Sequence, residues 1–261
     1  GCTTTETVTI TQNNAIVTAS SSQTNVNCNG ASTGAAAISV SGGNSTYTYT
    51  WTNAVSTSAS ASNLAAGTYV VSVVDGNNCA DDGDVSFTIT QSAAVVTASS
   101  SQTNVLCHGA STGAAAISVA GGNAPYTYTW SNNANNNTNS AASLAAGTYT
   151  VSVVDANSCA DDGDVTFTIT QPAAALSSSS TQTNVNCHGA STGAIDLTAA
   201  NGTAGYTYSW AASNGGDVTG QATAADLTNI KAGTYVCTIT DAAGCTTTET
   251  VTITQNNAIV T

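Results

Sequence analysis

The stretch GTYTVSVVDANSCADDGDVTFTITQ, residues 147–171, contains two segments with the residue pattern of β-strands. In each segment apolar residues alternate with small or hydroxyl-bearing ones, and an Asp-Gly pair between the segments marks a turn. The alternating apolar residues are Tyr149, Val151, Val153, Val165, Phe167 and Ile169. Successive side chains of a strand point to opposite faces, so the pattern predicts two strands that each bury one face.

Further strand-like segments precede this stretch. They are residues 94–101, 103–107, 113–119 and 125–130. The last of them, PYTYTW, is aromatic on one face, and residues 131–143 after it are interpreted as a surface loop with a poor edge strand. Six to seven short strands in about 80 residues, with no helical pattern, predict an all-β chain of immunoglobulin-like antiparallel β-sandwiches. We expect the cores to include Trp51, Trp130, Trp210, Tyr69, Tyr149 and Tyr235.

The same order of segments occurs three times, which makes the chain a tandem array. Each unit is about 80 residues long and ends in Thr-Ile-Thr-Gln. The predicted sandwich repeats are residues 13–91 (repeat 1), 92–171 (repeat 2) and 172–255 (repeat 3). Residues 1–18 are identical to residues 244–261, so we interpret 1–12 as the last strand of a preceding repeat and 256–261 as the start of a following one.

The composition is strongly acidic. Against 14 acidic side chains the sequence has a single Lys or Arg, which is Lys231, and the net charge is −13. Nucleic-acid binding depends on clustered Lys and Arg, so the composition argues strongly against a nucleic-acid partner. No apolar run in this segment is long enough to span a membrane.

The cysteines recur as one pair in each unit, separated by about 50 residues. The pairs are Cys28 and Cys79, Cys107 and Cys159, and Cys187 and Cys245. This spacing lacks the short Cys-x-x-Cys arrangement of zinc sites and predicts one disulfide within each repeat, formed in an oxidising compartment. Cys2 is the counterpart of Cys245, and Cys237 aligns with valines of the other units, which predicts a buried apolar role.

Acidic residues cluster near the second cysteine of the first two units. They are Asp75, Asp81, Asp82, Asp84, Asp155, Asp161, Asp162 and Asp164. Clustered carboxylates suit Ca²⁺, which takes six to eight oxygen ligands. The spacing is not that of an EF-hand, and the third unit replaces the cluster with TTTET. A solvated acidic turn is therefore the favoured interpretation, with a calcium site as the alternative.

Patterns that would indicate catalysis or sugar binding also have structural explanations. Residues 30–34, 109–113 and 189–193 match the Gly-x-Ser-x-Gly nucleophile elbow, but that elbow needs a strand-to-helix turn and a catalytic triad. Neither is evident, so we expect no enzyme, no catalytic residue and no cofactor. The three tryptophans could stack on sugars if they were exposed, but their register with core tyrosines predicts burial.

The order of motifs resembles the SprB repeat. The resemblance rests on Cys-[Asn/His]-Gly, Gly-Asn-x-x-Tyr-Thr-Tyr-x-Trp, Leu-x-x-Gly-Thr-Tyr-x-Val-x-Val-x-Asp-x-x-x-Cys and Thr-Ile-Thr-Gln, and it covers all three units. SprB repeats occur in very large surface adhesins of gliding Bacteroidota. The resemblance implies a secreted cell-surface protein with many sandwich domains in series, which serves adhesion and gliding motility.

The sequence thus predicts an extracellular, non-catalytic filament or stalk at the cell surface. Its expected partners are neighbouring copies of the same repeat, end to end, and surface polysaccharide. Many copies would give avidity from weak contacts. The alternative is a self-assembling structural fibre or sheath, in which the duplicated end segment completes a neighbour's sheet by strand addition.

Overall fold

The computed structural model describes residues 1–12, 14–131 and 137–257. Within these ranges the chain is built from β-strands, with one short 3₁₀ turn at Thr52–Ala54 and no α-helix. The segment interpreted as the start of a following repeat lies only partly in the described ranges, since residues 258–261 fall outside them.

In the described ranges each repeat has six strands. Repeat 1 contains β1 (Val17–Thr24), β2 (Gly34–Ser41), β3 (Thr48–Trp51), β4 (Ser60–Leu64), β5 (Gly67–Val74) and β6 (Val85–Ile89). Repeat 2 contains β7 (Val96–Thr103), β8 (Gly113–Ala120), β9 (Thr127–Trp130), β10 (Ser140–Leu144), β11 (Gly147–Val154) and β12 (Val165–Ile169). Repeat 3 contains β13 (Ser177–Thr183), β14 (Gly193–Ala200), β15 (Thr207–Ser213), β16 (Leu227–Ile230), β17 (Gly233–Thr240) and β18 (Thr246–Ile253).

Each repeat divides its strands between two three-stranded sheets. The orders are β1-β2-β4 and β3-β5-β6 in repeat 1, β7-β8-β10 and β9-β11-β12 in repeat 2, and β13-β14-β16 and β15-β17-β18 in repeat 3. Neighbouring strands such as β5 and β6 pair antiparallel, and Tyr69 lies opposite Phe87. The predicted all-β, immunoglobulin-like sandwich architecture is confirmed.

Two compact units are distinguished along the chain. Unit 1 comprises Gly1–Ser99, Ser118–Thr129 and Ser152–Asp164, and unit 2 comprises Ser100–Ile117, Trp130–Val151 and Val165–Thr261. Repeat 2 therefore contributes segments to both units. The boundaries predicted for the three repeats do not coincide with these units and stay predictions.

The core of repeat 1 forms where the inward faces of its two sheets meet. Val71 and Val73 of β5 are fully buried, and Trp51 stacks on Phe87 with ring centroids 5.7 Å apart. Fully burying a valine or larger side chain contributes about 1.5–3 kcal/mol, so the alternating positions of these strands hold the sheets together. In repeat 2, Trp130 stacks on Phe167 in the same way. Repeat 3 has Val251 in place of the phenylalanine.

Two segments near the middle of the chain differ from the predicted strands. The strand predicted at residues 103–107 is not formed. β7 ends at Thr103, and the loop that follows contains a turn in which the Cys107 carbonyl accepts the N–H of Ala110 at 3.0 Å. The poor edge strand predicted within 131–143 corresponds to β10, whereas residues 132–136 lie outside the described ranges.

The first twelve residues form no strand, although an identical sequence does so elsewhere. Val8 and Ile10 are 76% and 92% exposed, whereas their identical counterparts Val251 and Ile253 in β18 are buried. The difference arises because β18 pairs with β17, which gives its apolar face a sheet and a core to pack on. That residues 1–12 are the last strand of a preceding repeat remains a prediction.

Candidate functional site

A loop of the same geometry follows the middle strand of the second sheet in each repeat. We call it the aspartate loop (residues 75–79, 155–159 and 241–245). In repeat 1 the Asp75 carboxylate accepts three backbone N–H groups. Oδ1 accepts from Asn77 and Cys79, both at 2.9 Å, and Oδ2 accepts from Asn44 at 3.0 Å. The Asp75 N–H in turn donates to the Cys79 carbonyl at 3.0 Å. The buried carboxylate therefore fixes the position of the cysteine.

The other two repeats build the same loop around Asp155 and Asp241. Their Oδ1 atoms accept the N–H of the second cysteine, Cys159 at 2.9 Å and Cys245 at 2.8 Å. Their Oδ2 atoms accept a backbone N–H from the loop between the second and third strands, at 2.9 Å and 2.8 Å. All three aspartates are buried, with about 4% of their surface exposed.

Backbone hydrogen bonds lower the pKa of these carboxyls. At Asp75 the largest cause is the N–H of Asn44, at Asp155 that of Cys159, and at Asp241 that of Thr203. Burial opposes the shift, but the donated N–H groups prevail because they stabilise the ionised form. The three carboxyls are therefore held ionised inside the loops.

A second loop, which carries the first cysteine, lies beside the end of the last strand of each repeat. We call it the exit loop (residues 27–33, 106–112 and 186–192). In repeat 1 the Gly30 N–H donates to Gln91 Oε1 at 2.8 Å, and the Asn27 N–H donates to Thr33 Oγ1 at 3.1 Å. The Cys28 carbonyl accepts the N–H of Ala31 at 3.2 Å. The glutamine of Thr-Ile-Thr-Gln thus anchors this loop.

The Gly-x-Ser-x-Gly motif is explained by the exit loop. Gly30 has a positive φ of 73°, which favours glycine, and a Cβ on Gly34 would lie 2.7 Å from Ile89 Cγ2 and 2.8 Å from the Leu64 carbonyl oxygen. The motif joins a loop to strand β2 and is followed by no helix, so it lacks the geometry of a nucleophile elbow. The glycines serve backbone shape and close packing.

Within repeat 1 the two cysteines lie at opposite ends of the sandwich. Strand β5 begins at Gly67, which pairs with Ile89 close to the exit loop, and it ends directly before Asp75. An eight-residue strand is about 27 Å long. Because a disulfide needs Cα atoms within about 7 Å, Cys28 cannot reach Cys79 without unfolding the repeat.

The disulfides join cysteines of successive repeats, which corrects the expected pairing within each repeat. Cys28 bonds Cys159 with Cα atoms 5.4 Å apart, and Cys107 bonds Cys245 with Cα atoms 5.6 Å apart. Each bond connects an exit loop with the aspartate loop of the next repeat, the first inside unit 1 and the second inside unit 2. The remaining cysteines have free thiols: Cys2, Cys79, Cys187 and Cys237.

Noncovalent contacts accompany the disulfide in unit 1. Asn157 Nδ2 donates to the Asn27 carbonyl oxygen at 3.4 Å, and Cys159 Sγ lies 3.5 Å from the same oxygen. A cleft of about 310 Å³ beside them is lined by both loops and by the connecting residues 92–95. In unit 2 the corresponding sulfur, Cys245 Sγ, lies 3.6 Å from the Leu106 carbonyl oxygen. The exit loop and the aspartate loop therefore form a recurrent joint.

The acidic clusters do not form a metal site among the described residues. No group of three or more His, Cys, Asp or Glu side chains in those ranges is arranged to hold a metal ion. Asp75 and Asp155 use their carboxylates on backbone amides, while the side chains that remain, Asp82, Asp84, Asp162 and Asp164, are exposed. The geometry assigns the first aspartate of each cluster to loop construction, and we do not propose Ca²⁺.

Asp81 and Asp161 differ from their acidic neighbours. Their Oδ2 atoms are buried without a hydrogen-bond partner, and burial raises the pKa of the Asp161 carboxyl. The Asp161 N–H donates to the Val153 carbonyl at 3.0 Å, and the residue bridges Val95 where repeat 2 begins. This aspartate therefore sits on the joint-forming end of its repeat.

The three tryptophans lie in the buried cores of their repeats. Trp51, Trp130 and Trp210 are 3–4% exposed, and each indole N–H donates to a carbonyl in the segment leading to the edge strand, at 2.8–3.0 Å. Tyr69 and Tyr235 are also buried, but Tyr149 is only partly so. No tryptophan presents a face for stacking on a sugar.

Cys237 lies on the buried face of β17, opposite Trp210 of β15. Its side chain is fully buried and burial raises the pKa of its thiol. Val71 and Val151 occupy the same place in the other repeats and are equally buried. Cys237 thus packs as a small apolar side chain.

The family comparison agrees with the repeated geometry. The model of the SprB repeat matches residues 20–56, 99–135 and 179–215. The chain contains three tandem SprB repeats. Each match covers the first strands of a repeat and its exit loop, so the first cysteine of every joint falls inside a SprB repeat. No curated protein matches the sequence.

Solved structures with tandem immunoglobulin-like or surface-layer domains resemble the SprB-repeat chain at low identity. The N-terminal eight Ig domains of Down Syndrome Cell Adhesion Molecule share 10% identity over 89% of this chain and 40% of that chain, with a TM-score of 0.37. Drosophila OTK extracellular domains share 11% identity over 85% and 91%, with a TM-score of 0.30. The S-layer protein rSbsC shares 14% identity over 94% and 40%, with a TM-score of 0.31.

These likenesses concern the fold class alone. The SprB-repeat chain spans 40% of the length of the first of these structures. In the described parts of the chain, no helix has the length and apolar character needed to cross a membrane.

Proposed function

We propose that this chain is a segment of a non-catalytic extracellular filament that acts in cell-surface adhesion or gliding motility. The observation that carries the proposal is the pairing of Cys28 with Cys159 and of Cys107 with Cys245. Both disulfides cross from one repeat of the chain to the next. The disulfides tie each repeat to the next in addition to the backbone, and they limit the length of chain that a pulling force can release.

An extracellular location is supported by the chemistry of the joints. Disulfides persist in oxidising environments and are rare where thiols are kept reduced. The net charge of −13 with one Lys or Arg keeps such segments soluble and weakly repelling. Adhesion would arise from many weak contacts of repeated surfaces, with surface polysaccharide as the proposed partner.

A structural fibre or sheath is the second candidate, and one observation favours it. Residues 1–12 carry the exposed Val8 and Ile10, although the identical sequence forms the paired strand β18 in repeat 3. An exposed segment with strand-forming sequence can add to the edge of another sheet. In a sheath, such additions would link neighbouring chains.

Antibody fragments against a SprB-repeat surface would separate these functions on intact cells that produce the protein. We expect labelling without permeabilisation and a loss of attachment or gliding when the fragments are present, with fragments against an unrelated surface protein as the control. Labelling only after permeabilisation would contradict the proposal. Surface labelling with unchanged attachment and movement would instead support the sheath.

A further inference from the structure

The exit loop of repeat 3 has the same internal construction as the two that are bonded. The Gly189 N–H donates to Gln255 Oε1 at 2.8 Å, the Asn186 N–H donates to Thr192 Oγ1 at 3.3 Å, and the Cys187 carbonyl accepts a backbone N–H at 3.1 Å. The same three hydrogen bonds shape the loops around Cys28 and Cys107. Only Cys187 of these three has a free thiol, and it is exposed.

The aspartate loop of repeat 1 is the complementary case. Asp75 holds the Cys79 N–H at 2.9 Å, as Asp155 and Asp241 hold those of the bonded Cys159 and Cys245. Cys79 nevertheless has a free, exposed thiol. The chain thus presents one unbonded exit loop and one unbonded aspartate loop, both formed as in the two joints.

We propose that the exit loop of repeat 3 is a docking site for the aspartate loop of a repeat 1, and that Cys187 of one copy forms a disulfide with Cys79 of a second copy. The two surfaces differ from each other, so the contact is heterologous. The proposal depends on the two loops and does not depend on the adhesive function.

The charge beside the unbonded exit loop supports the choice of partner. A cleft of about 470 Å³ is lined by Gly189 and Ala190 of this loop and by Lys231. Lys231 is the only Lys or Arg side chain in the sequence. Its backbone carbonyl accepts the Tyr235 hydroxyl at 2.7 Å, the part played in repeats 1 and 2 by alanines. The cation is therefore particular to this end of repeat 3.

The incoming surface carries the opposite charge. Asp81, Asp82 and Asp84 follow directly after Cys79 in repeat 1, and two of these carboxylates are exposed. Opposite charges near the surface attract over a Debye length of about 8 Å at physiological salt, which aligns the partners before a covalent bond forms. Elsewhere the net charge of −13 makes two copies repel each other.

The backbone carbonyl that contacts the aspartate loop in unit 1 has an equivalent in repeat 3, which can accept one more hydrogen bond. Asn27 O accepts Asn157 Nδ2 at the bonded joint, and the equivalent Asn186 O accepts Asn256 Nδ2 at 3.0 Å. A carbonyl oxygen has two lone pairs. Asn186 O therefore retains one acceptor position for an asparagine of the incoming loop, which is Asn77 in repeat 1.

Bond formation requires an oxidant, and a small-molecule disulfide supplies it. The Cys187 thiolate attacks one sulfur of oxidised glutathione, which forms a mixed disulfide and releases one glutathione thiolate. The Cys79 thiolate of the second copy then attacks the protein sulfur and releases the second glutathione thiolate. Two protein thiols and one glutathione disulfide thus give one protein disulfide and two glutathione thiols.

The test uses the full chain with Cys2→Ser, so that Cys79 and Cys187 are the exposed thiols. Treatment with oxidised glutathione is expected to give covalent multiples of 25.6 kDa in a non-reducing denaturing gel, which dithiothreitol returns to monomers. A mixture of the Cys79→Ser and Cys187→Ser forms is expected to stop at dimers. Peptide mapping of those dimers should find Cys79 linked to Cys187.

The distribution of products distinguishes recognition from random oxidation. Equimolar thiols without recognition give as many mixed dimers as symmetric ones, whereas docking makes the mixed dimers predominate. Equal yields, or products that remain bonded to glutathione, would overturn the proposal. If mixed dimers predominate here but antibody fragments leave attachment and gliding unchanged, the adhesive function is overturned and the docking site stands.

Matched variants separate docking from folding. Asp75→Asn loosens the loop that carries Cys79 and should slow formation of the mixed dimer, whereas Asp241→Asn, the same change in a loop already bonded, should not. Lys231→Glu should slow the reaction most at low salt, and added salt should reduce the difference from the parent. Equal slowing by both aspartate variants would contradict the docking geometry. Circular dichroism monitors the fold of each variant.

Discussion

The pairing of cysteines across repeats predicts how far the chain extends under force. The two disulfides interlock, because Cys107 lies between Cys28 and Cys159 in sequence, and Cys159 lies between Cys107 and Cys245. After all strands unfold, tension passes from Cys28 to Cys159, back along the chain to Cys107, and across to Cys245. That shortest path contains about 52 residues, or about 18 nm of extended chain at roughly 3.5 Å per residue.

Reduction of the disulfides releases the whole segment between Cys28 and Cys245. The segment contains about 217 residues and extends to about 76 nm, so reduction adds about 58 nm. Single-molecule force spectroscopy with peptide tags at both ends measures this length in the oxidised and the reduced chain. An oxidised chain that extends as far as the reduced one would refute the interlocked arrangement.

Single substitutions distinguish this arrangement from disulfides within each repeat. Cys79→Ser should leave the oxidised length unchanged, since Cys79 is free, whereas pairing within repeat 1 would release about 18 nm. Cys28→Ser should add only about 9 nm, because the path then runs directly from residue 28 to Cys107. An increase of about 18 nm in both variants would show that Cys28 pairs with Cys79.

Three further predictions concern stability. The lowered pKa values of the three aspartate-loop carboxyls give stability that is complete above the unfolded value of 3.8 and is lost as pH falls through the folded values. The free energy of unfolding, measured in urea, should therefore be lower at about pH 3 than at about pH 6. The raised pKa of Asp161 has the opposite effect and offsets part of this loss. Gly34→Ala should lower the free energy of unfolding by about 1–3 kcal/mol in urea titrations because its Cβ meets Ile89, while Gly83→Ala, with open space around it, should not. Cys237→Val should change that free energy by less than about 1.5 kcal/mol and remove the thiol that reacts only in denaturant.

Much of the sandwich could be predicted from alternating residues. Strands β11 and β12 start and end within a few residues of the predicted segments, because Val151, Phe167 and their neighbours have a clear period of two. The segment 103–107 misled the prediction, since β-branched and apolar residues occur there without a partner strand of sufficient length. Val105 instead donates a single backbone hydrogen bond to Thr170, at 2.9 Å.

The joint could not be predicted from cysteine spacing alone. Spacing shows that Cys28 and Cys79 recur together, but it does not show that β5 separates them by its full length. The sequence did contain a usable signal. Cys79 follows the end of β5, whereas Val26, two residues before Cys28, bridges Gln91 just after β6, and antiparallel neighbours place those two ends on opposite sides of the sandwich.

The role of the aspartates was also missed, for a related physical reason. The acidic cluster was assigned to a solvated turn, with a calcium site as the alternative, although Asp side chains commonly accept the N–H two residues on. Asp75 does so with Asn77 and then also binds the Cys79 N–H. The third repeat keeps this feature in Asp241 while it lacks the neighbouring aspartates, which indicates loop construction.

The location of the disulfides has a mechanical rationale. Each sandwich already holds its two sheets together through a buried core, such as Val71 and Val73 in repeat 1, so a bond within it would add strength where contacts are dense. At the joint in unit 1 the noncovalent contacts include those to the Asn27 carbonyl oxygen. A cross-link over 131 residues contributes about 5 kcal/mol in the chain-entropy model. The covalent bonds therefore reinforce the contacts between successive repeats.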